Sequence, residues 1–398
     1  MEDVAGPFPA ASIRLQGTPL PSPHAPPVTG AAIALSPPLY GGLAMEQRNA
    51  LLDGLRIVAA LAVLLYHFGF RDYVGGNPQV LHYPELVGVA KYGFLGAELF
   101  FFISGYVILM TLQHRSLRDF AIARIVRLYP TFWLCAGLSL VVGNLFGPEQ
   151  YFRTATEALA NLPILAGAFH APYIDDVYWS LSMELQFYVV AAVLFFVVPA
   201  RYLAGALALW VALGTVFIAT GEWLDLNVRY PGSTYIGFFG IGAAIYFYER
   251  GRRGLDVWCL YAASIAGVVI KLISMANDAV PETGVPVSVP VMLAIMAACA
   301  AAVHVSHRIP IRATGAAAWL TFAGGMTYPL YLLHQNIGIT LLNRYFDEAS
   351  RWTGLACVTA FLLLLSAAVY VLFDRPVRSA LMRFLRVSRR PAPFGALG

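Results

Sequence analysis

Long apolar runs alternate with short polar connections along this chain, and that rhythm predicts its architecture before any motif is considered. Ten runs approach the length needed to cross about 30 Å of hydrocarbon. They lie at 52–69, 94–112, 130–146, 179–198, 203–220, 233–248, 257–275, 287–303, 320–342 and 354–373. Within lipid a segment of this kind must satisfy its own N–H and C=O groups, so each run predicts a helix. The expected fold class is therefore all-α: a polytopic integral membrane protein with about ten transmembrane helices in one bundle. The run 158–169 is apolar but too short to cross, and reads as an interfacial or re-entrant piece in the loop before the fourth span. Residues 1–44 are rich in Pro, Gly, Ala and Ser, and begin with Glu2 and Asp3 where a signal peptide would be basic. They predict a disordered extension, with Met45 as a candidate translation start. The expected organisation is an extension over 1–44, one transmembrane domain over 45–376 and a basic cytoplasmic tail over 377–398.

Composition strengthens this picture. Hydrophobic residues make up 59% of the chain and Asp, Glu, Lys and Arg only 12%, against about a quarter charged in ordinary soluble domains. A water-soluble fold could not hide that much apolar surface, so the lipid bilayer is the expected solvent. The net charge of +4 does not point to nucleic acid, because basic residues in membrane proteins mostly report orientation. Most of those between spans fall on the side of the termini, among them Arg115, Arg118, Arg250, Arg252, Arg253 and the arginines of the tail. The positive-inside rule then predicts both termini in the cytoplasm, and the expected location is the inner (plasma) membrane. Cys135, Cys259, Cys299 and Cys357 all lie in apolar segments without a CxxC pair, which predicts small core residues and no metal site.

The informative residues are the polar ones inside the spans, where each is costly without a partner. Arg56 and His67 are eleven residues apart in the first span, which returns them to one helix face about 16 Å apart along the axis. Asp53 precedes Arg56 by one turn and is placed to pair with it. Glu98 opens the second span within Gly96-Ala-Glu98-Leu-Phe-Phe-Phe-Ile-Ser104-Gly105, whose small residues permit close helix approach. Arg124 and Arg127, at the cytoplasmic mouth of the third span, form an arginine pair suited to anionic phosphates, although plain anchoring would place arginines there too. Trp179 is an expected interfacial aromatic, with Glu184 just below it in the fourth span. In the ninth span Tyr331 and His334 share a face, and Pro329 frees a backbone carbonyl, which is tolerated where a helix lines a cavity. Lys271 reads as a snorkelling side chain. His67, Glu98, Glu184 and His334 are expected in the outer half of the bundle, and Arg56, Arg124 and Arg127 in the inner half. A transporter or flippase for a lipid-linked sugar or small anion would also place His, Glu and Arg inside a membrane, and a structural scaffold is a third reading.

Five signatures together resemble the membrane-bound acyltransferase family 3. They are Asp53-x-x-Arg56 followed by His67, Glu98-Leu-Phe-Phe-Phe-Ile-Ser-Gly105, Arg124-Ile-Val-Arg127-Leu-Tyr-Pro130, Trp179-Ser-Leu-Ser-Met-Glu184-Leu-Gln-Phe-Tyr188 and Tyr328-Pro-Leu-Tyr331-Leu-Leu-His334. The chain departs from the family pattern with Glu98 in place of Asp, Ala123 in place of a further Arg and Leu185 in place of a second Glu. The resemblance implies an O-acyltransferase that takes an acyl group, foremost acetyl, from cytoplasmic acyl-CoA to a hydroxyl of a carbohydrate or glycolipid acceptor such as exopolysaccharide or O-antigen. On that reading Arg124 and Arg127 dock the CoA phosphates and Arg56 steadies the donor. His67 is then the general base, oriented by a carboxylate such as Glu184, while Asp53, Glu98, Trp179, Tyr331 and His334 complete the substrate site.

Overall fold

Helix starts coincide with capping side chains. Asn49 accepts hydrogen bonds from the backbone of Leu51 and Leu52 at the head of α1 (Ala50–Tyr66), and Asp53 sits favourably in its first turn. Ser116 does the same for Asp119 in α3 (Leu117–Phe146). The computed structural model describes residues 49–71, 81–224, 235–306, 308–309 and 315–385. Residues 1–44, Met45 and the last part of the expected tail lie outside them. The other long helices are α2 (Leu95–Leu112), α4 (Trp179–Val197), α5 (Leu203–Leu224), α6 (Ile236–Glu249), α7 (Leu255–Thr283), α8 (Val289–Ser306), α9 (Gly315–Tyr345) and α10 (Arg351–Val369). A shorter α11 (Arg375–Phe384) follows. No strand occurs among the described residues.

Each of the ten apolar runs falls on one of the ten long helices, but the expected count of ten spans is not reached by length and hydropathy. Eight helical segments among the described residues are long and apolar enough to cross a membrane. Helix α6 is apolar but has 14 residues, about 21 Å at 1.5 Å per residue. Helix α9 is long but is not among the eight, and its polar residues are the ones that build the site. The run 158–169 is a non-spanning segment, as expected, made of a short helix Ala155–Asn161 and a 3-10 turn Ala166–Phe169.

Packing follows the small residues. A Cβ added to Gly105 on α2 would lie 2.0 Å from the Phe239 carbonyl oxygen on α6, and one added to Gly242 on α6 would lie 2.0 Å from that of Phe102. Two helices thus touch backbone to backbone, which only glycine allows. Helix α1 packs on α2 and α9, and α9 on α3 and α10, so the motif-bearing helices are neighbours. The cysteine expectation needs correction. Cys135 is buried, but Cys259 and Cys357 are exposed, on a surface where Leu, Val and Trp are also exposed, as a lipid-facing surface requires.

Candidate active site

A narrow cavity of about 80 Å³ lies between α1, α2, α3, α4 and α9. Arg56, Ser104, Arg124, Arg127, Glu184 and Tyr331 are among the residues that line it. Arg56 Nη1 donates to Asp53 Oδ1 at 2.7 Å, forming the expected pair one turn apart, and the Asp53 carboxylate is fully buried. Arg124 and Arg127 reach the cavity from successive turns of α3. Arg124 Nη2 donates to Thr111 Oγ1 at 3.3 Å, and its guanidinium lies 5.4 Å from the Phe120 ring centroid and 5.6 Å from that of Tyr188. Such stacking suits a planar, weakly hydrated cation.

Glu184 Oε1 accepts hydrogen bonds from Ser104 Oγ at 2.5 Å and from the Tyr188 hydroxyl. The sequence placed this carboxylate beside His67 in the outer half. The structure places it with the arginines instead, because α4 turns Glu184 and Tyr188, one turn apart, toward α3. Three guanidinium groups therefore face one cavity against Glu184 and the Asp53 carboxylate, an electrostatic excess that favours an anionic ligand.

His67 occupies a different position. It is the first residue of a π-helical turn, His67–Arg71, that continues α1, a distortion common at functional sites. Its ring lies 5.2 Å from that of His334. His334 is buried, with Nδ1 2.9 Å from the Tyr331 carbonyl oxygen. Around it α9 is clasped by the loop before α4. Asp175 Oδ2 accepts from the Asn336 backbone N–H at 3.0 Å, Ile174 O accepts from Asn336 Nδ2 at 2.8 Å, and the Tyr178 hydroxyl donates to Leu332 O at 2.9 Å. Sequence reasoning missed Asp175, Tyr178 and Asn336. An asparagine buried in an apolar span was the available signal, since such a group must find partners.

Neither His67 nor His334 lines the cavity, whereas Tyr331 does. The Tyr331 ring lies 5.7 Å from His334 and 5.9 Å from Phe100, edge to face, and its hydroxyl is 2.7 Å from Ser180 Oγ. The cavity thus stops short of the imidazoles, and Tyr331 is a lining residue that contacts one of them. The remaining candidates lie aside from the cavity. Glu98 is 1% exposed, and Trp179 packs on Tyr235 at 4.6 Å and Phe101 at 6.1 Å. Lys271, expected to snorkel, holds its ammonium 4.9 Å from the Tyr235 ring. Among the described residues no group of three or more His, Cys, Asp or Glu could hold a metal ion.

Residues 49–371 match the family profile described as an acyltransferase domain. The peptidoglycan O-acetyltransferase OatA of Listeria monocytogenes is 29% identical over 158 residues, 35% of this chain and 23% of that protein. The O-acetyltransferase OatA of Staphylococcus aureus is 28% identical over 157 residues, 34% of this chain and 23% of that protein. The alignments thus span less than a quarter of the length of these two relatives. No solved structure matches this chain.

Proposed function

Because the chain belongs to the membrane-bound acyltransferase family 3, we propose that it transfers an acyl group, with acetyl as the first candidate, from acyl-CoA to a hydroxyl of a carbohydrate acceptor. The observation that carries this reading is the convergence of Arg56, Arg124 and Arg127 on one cavity, whose lining residue Tyr331 contacts His334, one of a pair of adjoining imidazoles. The guanidinium groups supply bidentate donors for CoA phosphates. The imidazoles supply a proton acceptor at the other end. In the positive-inside orientation the arginine end opens to the cytoplasm, where acyl-CoA is found, and the histidine end faces the far side of the plasma membrane.

His67 takes the proton of the acceptor hydroxyl while its oxygen attacks the thioester carbonyl. The tetrahedral intermediate collapses with cleavage of the C–S bond, and the departing thiolate recovers the proton from the imidazolium. The products are the ester and CoASH. Glu184, bonded to Ser104 and Tyr188, is the negative charge at the arginine end and moderates the hold on the anionic donor. Peptidoglycan, named for the Listeria relative, joins exopolysaccharide and O-antigen as a candidate acceptor.

The test is an assay of the purified chain in lipid nanodiscs with labelled acetyl-CoA and soluble glycan oligomers. Label is expected on the glycan, and His67→Ala should reduce its appearance by about 10²–10⁴-fold. A transporter or flippase would leave the label on CoA, and undiminished transfer by the variant would remove His67 from the reaction.

A further inference from the structure

His334 has one nitrogen whose role is fixed by its partner. A carbonyl oxygen cannot donate, so the contact from Nδ1 to Tyr331 O at 2.9 Å requires the ring hydrogen on Nδ1. In the neutral ring Nε2 is then a bare lone pair that can only accept. His334 is 1% exposed, and Nε2 has no hydrogen-bond partner among the described residues. A buried acceptor left alone costs about 1–3 kcal/mol, so the site is built for a donor that the protein does not supply.

The neighbouring imidazole narrows what that donor is. His67 Nδ1 is also without a partner, its ring is 5.2 Å from that of His334 at an interplanar angle of 57°, and the two rings do not bond each other. One hydroxyl has one hydrogen and satisfies one such acceptor. With His67 Nδ1 taking the proton of the reacting hydroxyl, His334 Nε2 calls for a second donor on the same molecule. Resting on the acyl-transfer reading above, we infer that His334 Nε2 is a specificity determinant that accepts a hydrogen bond from a second donor of the acceptor, a hydroxyl or amide N–H beside the hydroxyl that reacts at His67. The acceptor class is thus a polyol or amino sugar carrying neighbouring donors. An alcohol with a lone hydroxyl, or one flanked by an ether, leaves Nε2 unsatisfied and is a poorer substrate.

The experiment compares ethylene glycol with its monomethyl ether, 2-methoxyethanol, as small acceptors for labelled acetyl-CoA, using the full chain in nanodiscs and glycan oligomers alongside. The wild-type protein should prefer ethylene glycol by about tenfold in kcat/KM after correction for its two hydroxyls, the equivalent of one hydrogen bond. His334→Asn keeps an amide N–H for the Tyr331 carbonyl but places nothing where Nε2 stood, and should lose the preference. His334→Gln, which extends an amide to that position, should restore part of it. Equal rates for the two alcohols in the wild type show that an ordered water already satisfies Nε2 and overturn the inference, whether or not His334→Asn folds. A preference retained in His334→Asn overturns it as well. Absence of ester with either alcohol and with the glycan oligomers, label remaining on CoA, instead removes the acyltransferase reading on which it rests.

Discussion

Ser104 on α2 and Glu184 on α4 are joined by a hydrogen bond of 2.5 Å, and this contact fixes a carboxylate among three guanidinium groups. Glutamine at 184 can still accept from Ser104 and Tyr188, whereas alanine leaves both hydroxyls without their acceptor. Glu184→Ala should therefore destabilise the protein by about 1–3 kcal/mol, read as a lowered unfolding midpoint in detergent, and Glu184→Gln by less. Removing the negative charge also makes the cavity more positive. The apparent KM for acyl-CoA should fall in Glu184→Gln, and a rise would mean that the carboxylate organises the arginines more than it opposes the donor.

Asp53 and Arg56 behave as one unit. The carboxylate is fully buried and the guanidinium 14% exposed, at 2.7 Å. Removing one partner of a buried pair costs up to about 3–5 kcal/mol, and less where each side chain keeps a further contact, as Asp53 and Arg56 do. Asp53→Ala should show that loss in thermal unfolding, while the double variant Asp53→Ala with Arg56→Ala should lose less than the sum of the single changes. Strictly additive losses would show that the two side chains act separately.

Arg127 lines the cavity on the same face of α3 as Arg124. If it docks donor phosphates, Arg127→Ala should raise the KM for acyl-CoA by about tenfold, the weight of one charge-assisted hydrogen bond of about 1.4 kcal/mol, with little change in kcat. An unchanged donor KM reassigns the side chain to membrane anchoring.

Much of this was legible in the sequence, and the residues show where legibility stopped. Helix positions followed from apolar runs, since lipid leaves the backbone no alternative, and the Asp53–Arg56 pair followed from their spacing on one helix. Relations between helices were harder to read. Glu184 and His67 lie at similar expected depths, yet depth does not fix which way a side chain turns, and α4 turns Glu184 to the arginines. The clasp of Asp175, Tyr178 and Asn336 joins a loop to a helix more than 150 residues away in the chain, a contact no local pattern encodes. His334 was visible as a polar residue beside Tyr331. That its ring adjoins His67 is a fact of packing between α1 and α9.

Phe100 and Tyr331 both line the cavity and pack edge to face at 5.9 Å, and Tyr331 also contacts His334, so on the proposed reading the thioester travels past this pair. Tyr331→Phe keeps the ring and loses the hydroxyl's bonds to Ser180 Oγ and to the Val177 carbonyl oxygen. It should cost about 1 kcal/mol in stability and leave transfer within a few-fold of wild type. Phe100→Ala removes the ring packed on Tyr331 and widens the cavity, which should admit water to the acyl group on its way to His67. Water then competes with the acceptor for the acyl group, so acyl-CoA hydrolysis without acceptor should rise relative to transfer, because exclusion of water is what protects a reactive group in a closed site. Free CoA released by a folded Phe100→Ala protein measures this directly. An unchanged ratio of hydrolysis to transfer would mean that the acyl group reaches His67 by a route that does not run between these two rings.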